Sequence, residues 1–211
     1  MSKITGLKMG KGREKHVNVF LDGSFSFSIL AEVALKKALT VGRELSESEI
    51  EELKDKDRYQ RCFNAAVRYL AYRPRSESEV RQRLKRHGFD TECSEKAIAS
   101  LKEKSLIDDR EFACFWIENR KTFSPRSRRL AALELQRKGL DRETIETITC
   151  TVDDSESAYR AATNKAGKLA PTDFSTFRRR MSEHLARRGF GYEVIRETVE
   201  RTWKEFGEIH R

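Results

Sequence analysis

This 211-residue sequence predicts a mainly α-helical fold: three tandem three-helix repeats forming an elongated molecule, with a small N-terminal β-hairpin extension. Three observations predict it. The hexamer LKRHGF at 84–89 returns as LQRKGL at 135–140 and LARRGF at 185–190, with its glycines 51 and 50 residues apart. Such periodic self-similarity marks one supersecondary unit copied in tandem. Only 3 prolines and 11 glycines interrupt the chain, so long helices are expected. Near the N-terminus, HVNVFLDGSFSFSIL alternates apolar and polar residues on both sides of Asp22-Gly23, the strongest short-range hairpin signal.

Along the chain, residues 1–45 form the extension. A further strand around Ile4 to Met9 joins the hairpin through GKGRE, and a sheet of two or three strands is barely stable alone. It is expected to lean on the helix AEVALKKAL, through Val33, Leu35 and Leu39. From Ser46 the chain reads as helix, in repeats spanning 46–108, 109–154 and 155–211. Ser46 with Glu49 and Ser76 with Glu79 match capping boxes ahead of apolar-periodic stretches. Pro74 and Pro125 are placed at helix starts, and Pro171 in a third break.

The hexamer itself is a folding signal. Leu84, Leu135 and Leu185 stand four residues before the glycines, and Val80, Ala131 and Met181 eight before. This ladder is the buried face of a second helix, stopped by a glycine that adopts the left-handed conformation. Phe89, Leu140 and Phe190 then fold back over the last turn. Third helices follow, bearing Ile98 and Leu101, Ile145 and Ile148, or Val194, Ile195 and Val199. In the first helices, Tyr59, Phe63, Tyr69, Phe112, Phe115, Trp116 and Tyr159 fall at core spacings, leaving base stacking for one or two at most.

Charge is the residue feature that packing leaves over. Lys and Arg number 43 against 34 Asp and Glu, a formal net charge of +9. That balance favours polyanionic partners, nucleic acid before anionic membrane. The cations gather on the second helices: Arg81, Arg83, Lys85 and Arg86 in the first repeat; Arg126, Arg128, Arg129, Arg137 and Lys138 in the second; Arg178, Arg179, Arg180, Arg187 and Arg188 in the third. Basic residues in a last turn complement the helix dipole. PRSRR at 125–129 and RRR at 178–180 have no such excuse, because cations near a helix N-terminus oppose it. These fourteen residues are therefore the candidate nucleic-acid and partner-binding set.

RPRSESEVRQRLKRHGF at 73–89, LIDDREFACFWIENR at 106–120, RRLAALELQRKGL at 128–140 and HLARRGFGYEVI at 184–195 resemble the successive repeat motifs of the RecX family, bacterial regulators of the RecA recombinase. The likeness runs over about residues 58–200, and the hairpin with its Asp-Gly turn resembles that of the longer members. Ser105 departs from it, standing where the family often has glycine. The resemblance implies an elongated curved molecule, a crescent of three-helix modules lodged in the groove of the RecA–single-stranded-DNA filament. It implies restraint of ATP hydrolysis, strand exchange and filament growth, and so a role in recombination, DNA repair and the SOS damage response. The implied partners are RecA and single-stranded DNA, with double-stranded DNA as a further one and no membrane.

Other chemistry finds little footing. Asp108-Asp109 lacks a companion ligand at metal spacing, and Asp109 is expected to cap the helix REFACFWIENR. His16, His87, His184 and His210 are scattered, and Cys62, Cys93, Cys114 and Cys150 form no zinc-type pair. There is no Walker-type loop, no secretory leader and no spanning segment. The sequence thus reads as a cytoplasmic, non-enzymatic protein without metal or cofactor, with a monomer as the default. The alternative is a general DNA-binding protein or transcription regulator, because a three-helix unit with a basic middle helix imitates helix-turn-helix.

Overall fold

The computed structural model describes residues 1–11, 15–166, 169 and 173–206. Pro171, most of GKGRE and His210 lie outside the described residues. The chain divides into two compact units: Met1–Arg73 with Val80–Ile107, and Pro74–Glu79 with Asp108–Arg211.

The first unit opens with an antiparallel sheet of four strands, β1 (Ser2–Met9), β2 (His16–Leu21), β3 (Ser24–Leu30) and β4 (Glu44–Leu45), in the order β3-β2-β1-β4. Asp22 and Gly23 both have positive φ, 48° and 87°, which gives the β2–β3 turn the twist that two-residue hairpins require. The Asp22 carboxylate accepts the Lys3 backbone N–H at 2.9 Å, a bond that lowers its pKa. The fourth strand exceeds the two or three expected. Its two residues pair with Ser2 and Lys3, a length too short to leave an alternating pattern in the sequence.

Helix α1 (Ala31–Lys36) and Leu39 close one side of the sheet, but only partly as expected. Val33 and Leu39 are buried with Ile4, Val19 and Ile29, whereas Leu35 is 80% exposed on the far face of a helix too short to bury both. The longer support is α2 (Glu47–Leu70), which adds Leu53 to this core. Ser46 and Glu49 form the expected capping box at its start. Asp57 of α2 is buried; its carboxylate accepts the Leu30 N–H and the Arg61 Nε–H, each at 2.6 Å, tying the helix to the end of β3.

The C-terminal half of α2, with α3 (Glu77–Arg86) and α4 (Thr91–Glu103), encloses Cys62, Ala66, Val80, Leu84, Ile98 and Leu101. In the second unit, α5 (Asp109–Phe123), α6 (Arg128–Arg137) and α7 (Arg142–Thr149) enclose Phe112, Leu135, Leu140, Ile145 and Ile148. There too α8 (Asp154–Ala166), α9 (Phe174–Ala186) and α10 (Tyr192–Phe206) enclose Ala162, Phe177, Met181, Leu185, Phe190 and Val199. The fold is therefore mainly α, with three three-helix domains following a small sheet along the chain.

Each second helix ends as the hexamer predicts. Gly88, Gly139 and Gly189 have φ of 82°, 83° and 85°. Phe89, Leu140 and Phe190 donate back to the carbonyls of Leu84, Leu135 and Leu185, and each glycine N–H donates to the carbonyl three residues earlier. This is the Schellman arrangement, which satisfies the last carbonyls of a helix. Ser105 makes the same stop after α4 at φ 54°, a non-glycine residue held in the left-handed region.

Candidate nucleic-acid and partner interface

The basic helices α3 and α6 begin alike. Pro74-Arg75-Ser76 and Pro125-Arg126-Ser127 precede them, so the prolines stand two residues before the capping serine instead of at the first helical position. Both serines are fully buried, and their hydroxyls accept the N–H of Glu79 and Leu130, each at 3.2 Å. A second donor of each helix start is satisfied from elsewhere. Glu77 N–H donates to Asp109 at 2.8 Å, and Arg128 N–H donates to Asp154 at 2.6 Å. The expected role of Asp109 is thereby corrected. Asp108, extended at φ −142°, caps α5 by accepting from Arg110 and Glu111, which leaves Asp109 turned to the start of α3.

These helix starts also receive the glycine ends of the following modules. Ser76 donates its hydroxyl to the Lys138 carbonyl at 2.8 Å, and Ser127 donates its N–H to the Arg188 carbonyl at 3.0 Å. The approach is close: a Cβ on Gly139 would stand 2.6 Å from Ser78 Cβ, and one on Gly189 would stand 2.6 Å from Ser127 Oγ. Around Gly88 the same atom would meet nothing within 4 Å.

Fixing the helix starts sorts the fourteen predicted cations into two groups. Four are half-buried. Arg81 grips Glu95 through two nitrogens at 2.6 and 2.9 Å, and Lys138 reaches Glu79 at 2.6 Å. Arg126 lies 3.1 Å from Glu134, a carboxylate that also accepts from Trp116 Nε1 at 2.9 Å and Arg120 Nε at 2.8 Å. Arg120 and Lys138 lie over the Trp116 ring, 4.7 and 5.0 Å from its centroid. Arg188 occupies the place corresponding to Lys138, where Leu130 replaces the glutamate of the earlier joint. Burial, then the charges of Arg126 and Arg187, lower its pKa. Its guanidinium lies 3.3 Å from His184 Nδ1, and burial with the Arg188 charge pushes that imidazole down to about 4.

The remaining ten are exposed: Arg83, Lys85 and Arg86 on α3; Arg128, Arg129 and Arg137 on α6; Arg178, Arg179 and Arg180 on α9, with Arg187 at its end. Arg83 lies 5.4 Å from the Tyr69 ring centroid, and Arg179 is 3.5 Å from Glu183. The dipole argument holds for Arg128 and Arg129, which occupy the first turn of α6. It does not hold for Arg178–Arg180, because α9 starts at Phe174 behind the cap Asp173 and the dipole's effect is confined to the first turn.

Beside Arg126 a pocket of about 290 Å³ opens, lined by Arg120, Lys121, Thr151, Asp153 and Arg160 among others. Its mixed charges suit no single ligand. Two aromatics escaped the sequence reading: Tyr72 and Phe123, 85% and 76% exposed, each two residues before Pro74 or Pro125. Aligning the repeats on those prolines instead of on the glycines is the signal that finds them. All four cysteines are free; Cys62 and Cys93 are buried, and burial pushes the Cys62 thiol up to about 12. Among the described residues no helix is long and apolar enough to cross a membrane.

Three three-helix domains with cationic second helices, following a small antiparallel sheet along the chain, define a class of tandem helical-repeat proteins. Family models match all four parts: the regulatory protein RecX N-terminal domain over residues 2–46, and the first, second and third three-helix domains of RecX over 62–101, 108–147 and 153–199. Regulatory protein RecX of Bacillus velezensis is 33% identical over 207 residues, covering 96% of this chain and 78% of that protein. Its counterpart in Clostridium botulinum is 29% identical over 204 residues, covering 94% and 95%. A crystal structure of a regulatory protein RecX superposes with a TM-score of 0.69 at 21% identity, over 95% of this chain and 100% of that one. The chain belongs to the RecX family of regulatory proteins.

Proposed function

We propose that this protein regulates the RecA recombinase by binding in the groove of the RecA–single-stranded-DNA filament. It limits ATP hydrolysis, strand exchange and filament growth through its exposed second-helix cations, without chemistry of its own. The observation that carries the reading is the recurrence of exposed arginines on the second helix of every module, in a chain that belongs to the RecX family. Each cation that neutralises a phosphate releases counterions. A filament presents its sites repeatedly, so weak contacts from separate modules add through effective concentration. Modules divided near residues 45, 108 and 154 are part of this proposal. The test is RecA ATP hydrolysis on single-stranded DNA with purified protein added at stoichiometric amounts. Slowing is expected, and it should weaken in Arg128→Ala/Arg129→Ala with the helical content unchanged; hydrolysis at the uninhibited rate would refute the reading.

A further inference from the structure

The two aromatics beside the helix starts serve no purpose in the fold. Tyr72-Arg73-Pro74-Arg75-Ser76 and Phe123-Ser124-Pro125-Arg126-Ser127 are the same pattern, one period apart. Its serine caps a helix and its proline fixes φ just ahead of that cap. Its aromatic is left outside: Tyr72 and Phe123 are the two most exposed aromatic side chains among the described residues. A single exposed aromatic needs no explanation. The same exposure at the same position of two modules, on backbone leading into a buried cap, calls for one.

The chain around the two aromatics is basic in sequence. Arg73 and Arg75 follow Tyr72 in sequence, while Phe123 follows Arg120 and Lys121 at the end of α5 and precedes Arg126. An exposed aromatic on a basic stretch of chain suits a base carried on a phosphate chain, since every base offers a π-face and every link a negative charge.

We propose that Tyr72 and Phe123 are stacking platforms for the bases of single-stranded nucleic acid. The inference rests on the reading of this chain as a partner of filaments built on single-stranded DNA, but it is tested apart from RecA. The probe is an oligo-dT carrying one 2-aminopurine, whose fluorescence is quenched by stacking, titrated with the full-length chain at low ionic strength. Tyr72→Ala and Phe123→Ala should each weaken binding by about 5- to 150-fold and remove part of the quenching, while Tyr72→Phe and Phe123→Tyr restore both. Circular dichroism should show unchanged helix content, because neither side chain contributes to a core.

Quenching and affinity unaltered in the alanine variants would overturn the assignment. So would a wild-type chain that leaves the oligonucleotide unbound, or variants that lose RecA inhibition while keeping oligonucleotide binding, which would place the rings against protein. A chain that binds through these aromatics yet leaves RecA hydrolysis untouched would refute the proposed regulation and leave the stacking sites standing.

Discussion

Three glycines that look equivalent in the sequence carry different demands. All share the left-handed conformation, which costs a residue with a Cβ about 1–2 kcal/mol. Gly139 and Gly189 also meet a serine where that Cβ would be, and Gly88 meets none. Gly88→Ala should therefore lower stability by about 1–2 kcal/mol, and Gly139→Ala or Gly189→Ala by distinctly more; urea midpoints of the three variants measure the difference. His184 makes a second residue-scale case. Its folded pKa is pushed from 6.5 to about 4, so the unfolded chain binds the proton first as pH falls. Its contribution is whole above pH 6.5 and is lost progressively down to about pH 4. His184→Gln should flatten the fall in denaturant midpoint across that window, a comparison two buffers suffice to make.

At the scale of elements, α6 shows what a helix keeps for itself and what it gives to its neighbours. Leu135 is fully buried, and Leu135→Ala should cost about 2–5 kcal/mol in equilibrium unfolding. Glu134, next to it, gathers Trp116, Arg120 and Arg126. Glu134→Ala should cost about 2–3 kcal/mol, because it strands the Trp116 and Arg120 donors together in a partly buried place, and the near-ultraviolet circular dichroism of Trp116 should change with it. The first of these was legible in the sequence and the second was not. Apolar spacing, glycine stops and the Asp22-Gly23 turn are local signals, readable from a few consecutive residues. The partners of Lys138 and Ser76 lie 59 and 62 residues away, and no local pattern pairs them. Asp108 and Asp109 are adjacent acids either of which can cap a helix; the choice is made by the distant N–H of Glu77. Of the candidate site, the sequence located the cations but could not separate those spent on internal carboxylates from those left outward.

At the scale of the whole molecule, that separation decides which substitutions report on binding. A formal charge of +9 attracts a polyanion from every direction, but only charges that contact phosphate set the salt dependence. Removing Arg128 and Arg129 should reduce the log–log salt slope of single-stranded DNA binding by up to about 1.4, taking about 0.7 for each phosphate contact. Adding Arg126→Ala should change stability more than slope, since Arg126 answers Glu134; paired salt titrations and unfolding curves of the double and triple variants check this. The joint between modules carries a last consequence. Its two halves are written within a single period, a serine start at one end and a glycine end at the other. A gene that gained or lost one period by unequal exchange would bring together ends that already match. Chain length could then change across evolution in whole steps, with no new interface to invent.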